Sequence, residues 1–252
     1  MQCSVELPVK YLEEFSKYFS FDFVIASTCL THPDYFEYYK TKRRFMILDN
    51  GAFETGKAIN DIDYLRIADA LQPDILVIPD VYNDTMRTAQ RSADFILTWK
   101  DKGKEILPNT MLMGVLPGHS EMAVIAMYEF YENLHEDIKW YGFPYSGCVD
   151  RFQVLKEHPE IENVHILGLP SIPEALSLRT LPNVKSVDTS LPVKLTSVNR
   201  VITDNNFTVD NNIKVHPSAN NLDEKLLKVN LKAYNDICDG WCCLTCVNDE
   251  RG

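Results

Sequence analysis

The sequence has no long apolar run of the kind that crosses a membrane. No stretch of its 252 residues approaches the roughly 18 consecutive apolar positions that a membrane-spanning helix requires. The first residues, MQCSVELPVKYLEEF, also lack the basic segment and following apolar segment that mark a secretory signal. We therefore expect a cytoplasmic protein that makes no membrane contact.

Phosphate-binding glycine motifs are absent as well. No G-x-G-x-x-G segment follows the first predicted strand, and no G-x-x-x-x-G-K-S/T segment occurs in the chain. Nucleotide-binding doubly wound folds use such motifs because their backbone N–H groups hold phosphates. A nucleotide-binding doubly wound fold therefore has little support. The sequence also shows neither a repeat of fixed period nor a low-complexity segment.

An excess of positive charge is also missing. Asp and Glu outnumber Lys and Arg by 36 to 25, which gives a net charge of −11 and a pI near 5.0. This balance argues against a protein that coats nucleic acid nonspecifically. Two stretches depart from it, residues 35–44 and residues 175–202, and each holds four cations against a single carboxylate. They are either solvated surfaces or phosphate-binding patches.

The sequence does have a globular composition, 45% hydrophobic and 24% charged, and enough length for one large domain. Seven short apolar runs without clean polar alternation predict parallel strands that are buried on both faces. With helical segments between them, they predict an α/β fold, a (β/α)8 TIM barrel in a single domain 1–252, although no eighth strand can be placed after Asp188. About residues 199–252 would form loops and a small helical, cysteine-rich part. The predicted strands lie at residues 21–27, 44–49, 74–80, 111–117, 138–142, 163–170 and 184–188, and the predicted helices at 61–71, 83–103, 119–134, 171–180 and 223–237.

The cysteines are concentrated near the C-terminus. In a reducing compartment, such a cluster indicates metal ligands or free thiols more often than disulfides. The CxxC pair Cys243 and Cys246, together with Cys238 and the upstream His216, predicts a structural zinc site. The alternative is a small apolar stripe on a helix, because Cys238, Cys242 and Cys246 recur at helical spacing.

Three predicted strands end in aspartate, at Asp49, Asp80 and Asp188. One such residue is usually a turn former or a helix cap. In a (β/α)8 barrel, however, the carboxyl ends of the strands form one mouth, which is where active sites lie. Carboxylates that converge there repel one another and shift one another's pKa values, an arrangement that usually persists because the chemistry needs it. The pattern therefore predicts an active site built from these three residues.

Five strand-end segments resemble, in order, motifs of the tRNA-guanine transglycosylase superfamily: ILDNGAFE, IPDV, GVLPGH, LGLPSIPE and VDTSLPVK. The similarity is greatest to the short, phage-encoded DNA-guanine transglycosylases and runs from about residue 45 to residue 194. It implies exchange of guanine in double-stranded DNA for a free 7-deazaguanine base, without a redox or nucleotide cofactor and in the cytoplasm of a phage host. The alternative substrate is tRNA, which is disfavoured because no C-terminal RNA-binding module is found.

The resemblance also implies roles for individual residues. Asp188 would be the nucleophile that attacks C1′ of the nucleoside and forms a covalent sugar–enzyme intermediate. Asp49 would be the general acid/base that handles the protons of the departing and arriving bases. Asp80 would bind the guanine edge. The other implied base-binding residues are Phe53 as a wall of the pocket, Gly168 and Leu169 through their backbone, and His119, which is equally plausible as an ordinary loop histidine.

Several positions depart from the family motifs. Asn50, Ala52 and Glu54 stand where the family has Ser, Gly and Gln, and the Gln that helps to recognise the base is replaced in the GVLPGH segment. The resemblance therefore leaves the identity of the incoming base open. Glu54 would either support Asp49 or pair with a surface cation.

The two basic stretches would flank the mouth of the barrel, if the resemblance holds. A base must leave the duplex stack before an enzyme can act on it, and the phosphates beside it must be held. The cations expected to do so are Lys185, Lys194 and Arg200 around Asp188, and Arg43 and Arg44 before the strand that ends in Asp49.

Two other functions fit the same sequence features. A glycosidase or N-glycosylase would use water in place of the incoming base, and a base pocket with Asp80 and Gly168 speaks against it. A degenerate barrel would bind nucleic acid or a protein without catalysis, and the presence of all three strand-end aspartates speaks against that.

Overall fold

The computed structural model describes residues 1–42, 44–145, 149–202, 213 and 215–239 of the chain. Eight strands, every neighbouring pair parallel, alternate with helices in a (β/α)8 barrel, so the predicted fold class is confirmed. The strands are β1 (Gln2–Val5), β2 (Asp22–Ile25), β3 (Met46–Asp49), β4 (Ile75–Val77), β5 (Met111–Val115), β6 (Ile138–Pro144), β7 (Val164–Leu167) and β8 (Val184–Thr189). Their order around the sheet is β1-β8-β7-β6-β5-β4-β3-β2.

All five predicted helices are present, and each begins where a side chain caps it. Asn60, Asp84, Ser120, Ser171 and Asp223 accept hydrogen bonds from backbone N–H groups in the first turn of their helices. None of the helices in the described part of the chain is long and apolar enough to cross a membrane. The helices are α1 (Val9–Phe15), α2 (Ala26–Thr31), α3 (Pro33–Lys40), α4 (Ala52–Thr55), α5 (Asp61–Leu71), α6 (Thr85–Thr98), α7 (Lys104–Ile106), α8 (Glu121–Leu134), α9 (Arg151–Glu157), α10 (Ile172–Leu178), α11 (Leu191–Ser197) and α12 (Glu224–Asp239).

The eighth strand lies at the start of the chain rather than after Asp188. β1 pairs with β8 in parallel, with Ser4 opposite Asp188. The seam between β1 and β2 is bridged by a hydrogen bond of 3.1 Å from the backbone N–H of Phe23 to Ser4 Oγ. β1 was not identified from the sequence because its residues, QCSV, form no apolar run, unlike those of the equally short β3, MILD.

The core has an inner and an outer layer. The larger, outer layer lies between the strands and the helices, and α12 contributes to it with an apolar face that includes Leu231, Tyr234 and Cys238. The inner layer fills the barrel, and beside its apolar members His165 and Ser186 are buried on the side of β7 and β8. Its members are Phe21, Phe23, Ile25, Ile47, Ile75, Val77, Met113 and Val115.

Candidate active site

Carboxylates meet at the mouth, the end of the barrel where the strands terminate. Asp49 is the last residue of β3, Asp80 follows β4, and Asp188 lies near the end of β8. Burial and the negative charge of Glu54 raise the pKa of Asp49 well above its usual range, with smaller contributions from Asp80 and Asp188. Asp49 is thus close enough to Glu54, Asp80 and Asp188 for their charges to act on it. The structure brings the three predicted aspartates together and adds two glutamates, Glu54 and Glu6.

Asp188 is held through one of its two oxygens. Its side chain is buried, and Oδ1 accepts hydrogen bonds from the backbone N–H of Gly168 at 3.0 Å and from Nε2 of His165 at 3.1 Å. Gly168 has a φ of 68°, a left-handed conformation that suits glycine and turns its N–H toward Asp188. Within the described residues, no backbone N–H, ring N–H or alcohol hydroxyl donates to Oδ2; the carboxyl of Glu6 is the one other group within reach of Asp188. The carboxylate is therefore fixed in orientation through Oδ1, and Oδ2 is the oxygen left to face a substrate.

His165 was not predicted from the sequence. It lies on β7, fully buried, and its ring stacks on Phe23 with centroids 5.3 Å apart. Its Nδ1 is 2.8 Å from Ser186 Oγ, so the chain Ser186–His165–Asp188 runs along the inner wall of the barrel. The sequence carries a partial signal, because side chains alternate along a strand and Ser186 and Asp188 therefore lie on the same face of β8. Periodicity alone does not reveal that a histidine on the neighbouring strand joins them.

Glu6 is a second residue that sequence reasoning missed, because the strand before it was not recognised. Its backbone N–H donates to the carbonyl of Thr189, which places it beside the end of β8. Its carboxyl lies within hydrogen-bonding reach of Asp188. Burial, followed by the negative charge of Asp188, raises the pKa of Glu6 to about 8, and the positive charge of Lys194 acts against this rise. Glu6 is thus a proton-holding neighbour of Asp188.

Asp49 and Asp80 are linked through the turn that follows β3. Asp49 Oδ2 accepts from the backbone N–H of Gly51 at 2.7 Å, and buried Asn50 donates through Nδ2 to Asp80 Oδ1 at 3.0 Å. Gly51 has a φ of 78°, and a Cβ there would lie 2.2 Å from Ser27 Oγ, so the position requires glycine. Burial raises the pKa of Asp80, while the hydrogen bond from Asn50 opposes the rise. Asn50 therefore positions the carboxylate of Asp80.

Two exposed aromatic rings stand at the rim beside these carboxylates. Phe53 and Tyr82 are 69% and 44% exposed, and their ring centroids are 5.8 Å apart. Large apolar side chains in such a position offer flat surfaces to a ligand. His119 is also exposed on this side, with Nε2 3.4 Å from the carbonyl oxygen of Asn83. The predicted base-binding residues Asp80 and His119 thus lie on loops around the mouth, and Phe53 lies in the short helix α4 beside them.

Gly168 and Leu169, which were predicted to contact the base through their backbone, hold Asp188 in place. Both backbone N–H groups bind Asp188, that of Gly168 to Oδ1 and that of Leu169 to the carbonyl oxygen. The carbonyl of Leu169 accepts from Thr189 Oγ1, and the Leu169 side chain is buried. These N–H groups are thus occupied in holding β8 and Asp188, and contact between the backbone of this turn and a base stays a prediction.

Only some of the cations predicted to flank the mouth lie there. Lys194 lies in α11, directly after β8, and its charge reaches Glu6. Lys185 is near the start of β8, where Nζ donates to the carbonyl of Pro182, and Arg44 precedes β3 and donates to Asp22 at the start of β2. The prediction that Lys185 and Arg44 flank the mouth is wrong, because each strand residue advances the chain by about 3.3 Å and both cations lie at the opposite end.

The remaining predicted cations and ligands are less informative. Arg200 is exposed beyond the end of α11, and Arg43 lies outside the described residues. So do Cys243 and Cys246, while Cys238 is buried in α12 beside Cys3 and His216 packs against His32. No group of three or more His, Cys, Asp or Glu within the described residues is arranged to hold a metal ion. The zinc site stays a prediction.

Arg151 is a buried cation that holds the ends of two strands. Its guanidinium donates to Glu174, to the carbonyls of Phe143 and Leu167 at the ends of β6 and β7, and to the carbonyl of Gly168. Burial lowers its pKa, and the charge of Glu174 opposes this change. Because Gly168 positions Asp188, Arg151 supports the site from below.

Replacing Arg151 with methionine is expected to lower the free energy of unfolding by about 3–5 kcal/mol, because the carbonyls that its guanidinium binds would lose their donor and the partly buried Glu174 would lose its partner. Urea denaturation measures the loss. Arg66→Met is the matched control, since Arg66 is exposed and pairs only with Asp63 of the same helix, and it should change stability by about 0.5 kcal/mol or less. Equal losses in the two variants would contradict the role given to Arg151.

Glu6 should make stability depend on pH. Its pKa is about 8 in the folded protein and near 4.5 when unfolded, so the folded state binds more protons between these values. Stability should therefore fall as pH rises from about 5 to about 8, by up to roughly 1.4 kcal/mol per pH unit. Glu6→Gln should flatten this slope in denaturation measured at several pH values. Glu14→Gln, at an exposed position of α1, should leave it unchanged; identical slopes in all three proteins would refute the prediction.

The arrangement combines an oriented carboxylate, neighbouring carboxyls that hold protons near neutral pH, and exposed aromatic rings. Such a set can carry nucleophilic attack by Asp188 together with proton transfer by Asp49 or Glu6. No protein-family model matches the chain, and no curated protein matches it.

Proposed function

We propose that the protein is a DNA-guanine transglycosylase, which exchanges guanine in DNA for a free 7-deazaguanine base through a covalent bond between Asp188 and the sugar. The observation that carries this proposal is the anchoring of Asp188 at the mouth, with Oδ1 bound by two donors. A fixed carboxylate beside C1′ is what an oxocarbenium-like transition state requires. The resemblance of the strand-end motifs supports the same reaction.

In the first step, Oδ2 of Asp188 forms a bond to C1′ while the bond between C1′ and N9 of guanine breaks. The electron pair of the broken bond goes to guanine, which takes a proton from Asp49. The raised pKa of Asp49 supports this role, because it favours the protonated form that a general acid needs.

In the second step, the incoming 7-deazaguanine gives its N9 proton to Asp49, and its N9 lone pair forms the new bond to C1′. The bond between Oδ2 and C1′ breaks, and its electron pair returns to Asp188. C1′ is inverted twice, so the configuration is retained. The two steps together return Asp49 and Asp188 to their initial states and consume no redox or nucleotide cofactor.

Recognition of the purine would use the side of the mouth formed by the loops after β3 and β4. Asp80, oriented by Asn50, would accept from the N1–H and exocyclic amine of the guanine edge. Phe53 and Tyr82 would stack on the base, a contact worth about 1–3 kcal/mol per base in other proteins. These contacts suit guanine and 7-deazaguanine equally, because the two share that edge.

Extraction of the target nucleotide from the duplex costs a few kcal/mol, which contacts to the flipped base and its phosphates must offset. Among the described cations that were predicted to bind phosphate, Lys194 is the one whose charge reaches the site. A nucleotide extruded toward Asp188 would bring its phosphates near α11. Double-stranded DNA is therefore the proposed partner and tRNA the alternative.

The test is incubation of the protein with duplex DNA and labelled guanine or labelled 7-deazaguanine, with a parallel sample that contains tRNA. The expected result is label in the DNA strand, absent in Asp188→Ala and strongly reduced in Asp49→Ala. Incorporation of label into tRNA alone would identify tRNA, rather than DNA, as the substrate. Release of guanine without incorporation would indicate an N-glycosylase, and binding of DNA with neither outcome would indicate a non-catalytic barrel.

A further inference from the structure

We propose that His165 is a positioning residue for Asp188. Together with the backbone N–H of Gly168, it binds Oδ1 and so leaves Oδ2 to react. It also accelerates the departure of Asp188 from the sugar in the second step. This inference rests on the proposed function. It concerns a buried side chain that no motif of the sequence identifies.

The hydrogen bonds fix which nitrogen of His165 carries the proton. With Asp188 ionised, Oδ1 only accepts, so Nε2, 3.1 Å away, carries a hydrogen and donates it. In the neutral ring Nδ1 is then an acceptor, and it takes the hydroxyl hydrogen of Ser186 across 2.8 Å. Asp188 thus selects the tautomer of His165, and Ser186 supplies the hydrogen bond that satisfies its other nitrogen.

The surroundings of His165 are those of an apolar core. The ring stacks on Phe23 and meets Phe21 edge to face, with centroids 5.3 Å and 6.0 Å apart, and no part of it is exposed. Burial of a polar ring is unfavourable unless both of its nitrogens are hydrogen-bonded, and here both are. An apolar side chain would fill the same space without needing partners. Asp188, at the mouth, is the group that gains from a polar residue at this position.

The two donors on Oδ1 act differently on the two steps. They stabilise Asp188 as a carboxylate, which is its form before attack and after release, more than as the uncharged ester of the intermediate. Loss of one donor should therefore slow the breakdown of the intermediate, in which the carboxylate charge reappears. Formation of the intermediate, in which that charge disappears, should be affected less. The result is an enzyme that accumulates the covalent adduct.

The experiment follows the adduct between protein and duplex DNA on denaturing gels after rapid quenching, first without free base and then after labelled 7-deazaguanine is added. His165→Phe keeps the ring stacked on Phe23 but removes the donor, and it should slow adduct decay by about 100-fold. Ser186→Ala should slow it by roughly 3- to 10-fold, since it removes one neutral hydrogen bond. His165→Gln retains an N–H donor and should restore most of the rate.

Ser92→Ala is the matched control, because it also removes a buried hydroxyl with a hydrogen bond of 2.8 Å, but in the outer core against Tyr131. It should leave adduct decay unchanged. Adduct decay at the wild-type rate in folded His165→Phe would overturn the inference, as would equal loss of formation and decay, which a purely structural role would produce. If His165→Phe does not fold, unchanged adduct decay in Ser186→Ala would overturn the inference in its place.

A second readout separates this inference from the proposed function. Nitrogen-15 NMR of the His165 ring should show hydrogen on Nε2 in the wild type and a mixture of tautomers in Asp188→Ala, which lacks the acceptor, whatever reaction the protein catalyses. Hydrogen on Nδ1 in the wild type would contradict the inference. Absence of both adduct and base incorporation in the wild type would instead refute the proposed function, and the catalytic part of this inference with it.

Discussion

Asp188→Asn is expected to abolish base exchange, with a loss of roughly 10⁴- to 10⁶-fold in rate. Asparagine has the shape of aspartate, and its amide oxygen can still accept from Gly168 and His165. The NH2 group that replaces Oδ2 has no lone pair free to attack C1′, so the covalent intermediate cannot form. The measurement is incorporation of labelled base into duplex DNA, together with thermal unfolding to verify that the variant is folded.

The control for this prediction is Asp84→Asn. Asp84 caps α6 on the loop after β4, and asparagine caps helices equally well, so activity should stay within about 2-fold of the wild type. If folded Asp188→Asn incorporates base at more than about one hundredth of the wild-type rate, Asp188 is not the nucleophile.

Asp49→Asn is expected to lower the rate of exchange by about 10²- to 10⁴-fold, the usual contribution of a general acid/base. The amide oxygen of asparagine can keep the hydrogen bond from Gly51, so the turn after β3 should persist. What is lost is the proton that the departing guanine takes. The rate of adduct formation with duplex DNA measures this loss directly.

A substrate whose leaving base needs no proton distinguishes acid catalysis from a general loss of the site. N7-methylguanine is cationic in DNA and departs as a neutral base. With such DNA, Asp49→Asn should form the covalent adduct at nearly the wild-type rate and then accumulate it, because the incoming base still lacks a proton acceptor. Asp188→Asn should not be rescued. Failure of N7-methylguanine DNA to rescue adduct formation in Asp49→Asn would contradict the role of Asp49 as the acid.

Much of the frame was predictable because it depends on local patterns. Seven of the eight strands and all five predicted helices follow from apolar runs, helical periodicity and capping residues such as Asn60 and Ser171. The convergence of Asp49, Asp80 and Asp188 follows from a general property of the barrel, in which the carboxyl ends of all strands meet. What could not be predicted from the sequence was β1, whose residues QCSV form no apolar run, and with it Glu6.

The other features that could not be predicted depend on contacts between residues that are distant in the sequence. Lys185 stands close to Asp188 along the chain, but an extended strand separates the two ends of the barrel, so the cation lies far from the mouth. The backbone N–H groups of Gly168 and Leu169 are bound by Asp188, about twenty residues away. His165 depends on the register between β7 and β8. Such pairings require the three-dimensional structure.

The covalent bond between Asp188 and the sugar is the central claim, and mass spectrometry of the trapped adduct tests it most directly. The protein is mixed with duplex DNA without free base, quenched in acid and digested with protease and nuclease. The predicted result is a sugar attached through C1′ to the peptide that contains Asp188. Attachment to a peptide without Asp188, or base exchange that proceeds with no adduct, would contradict it.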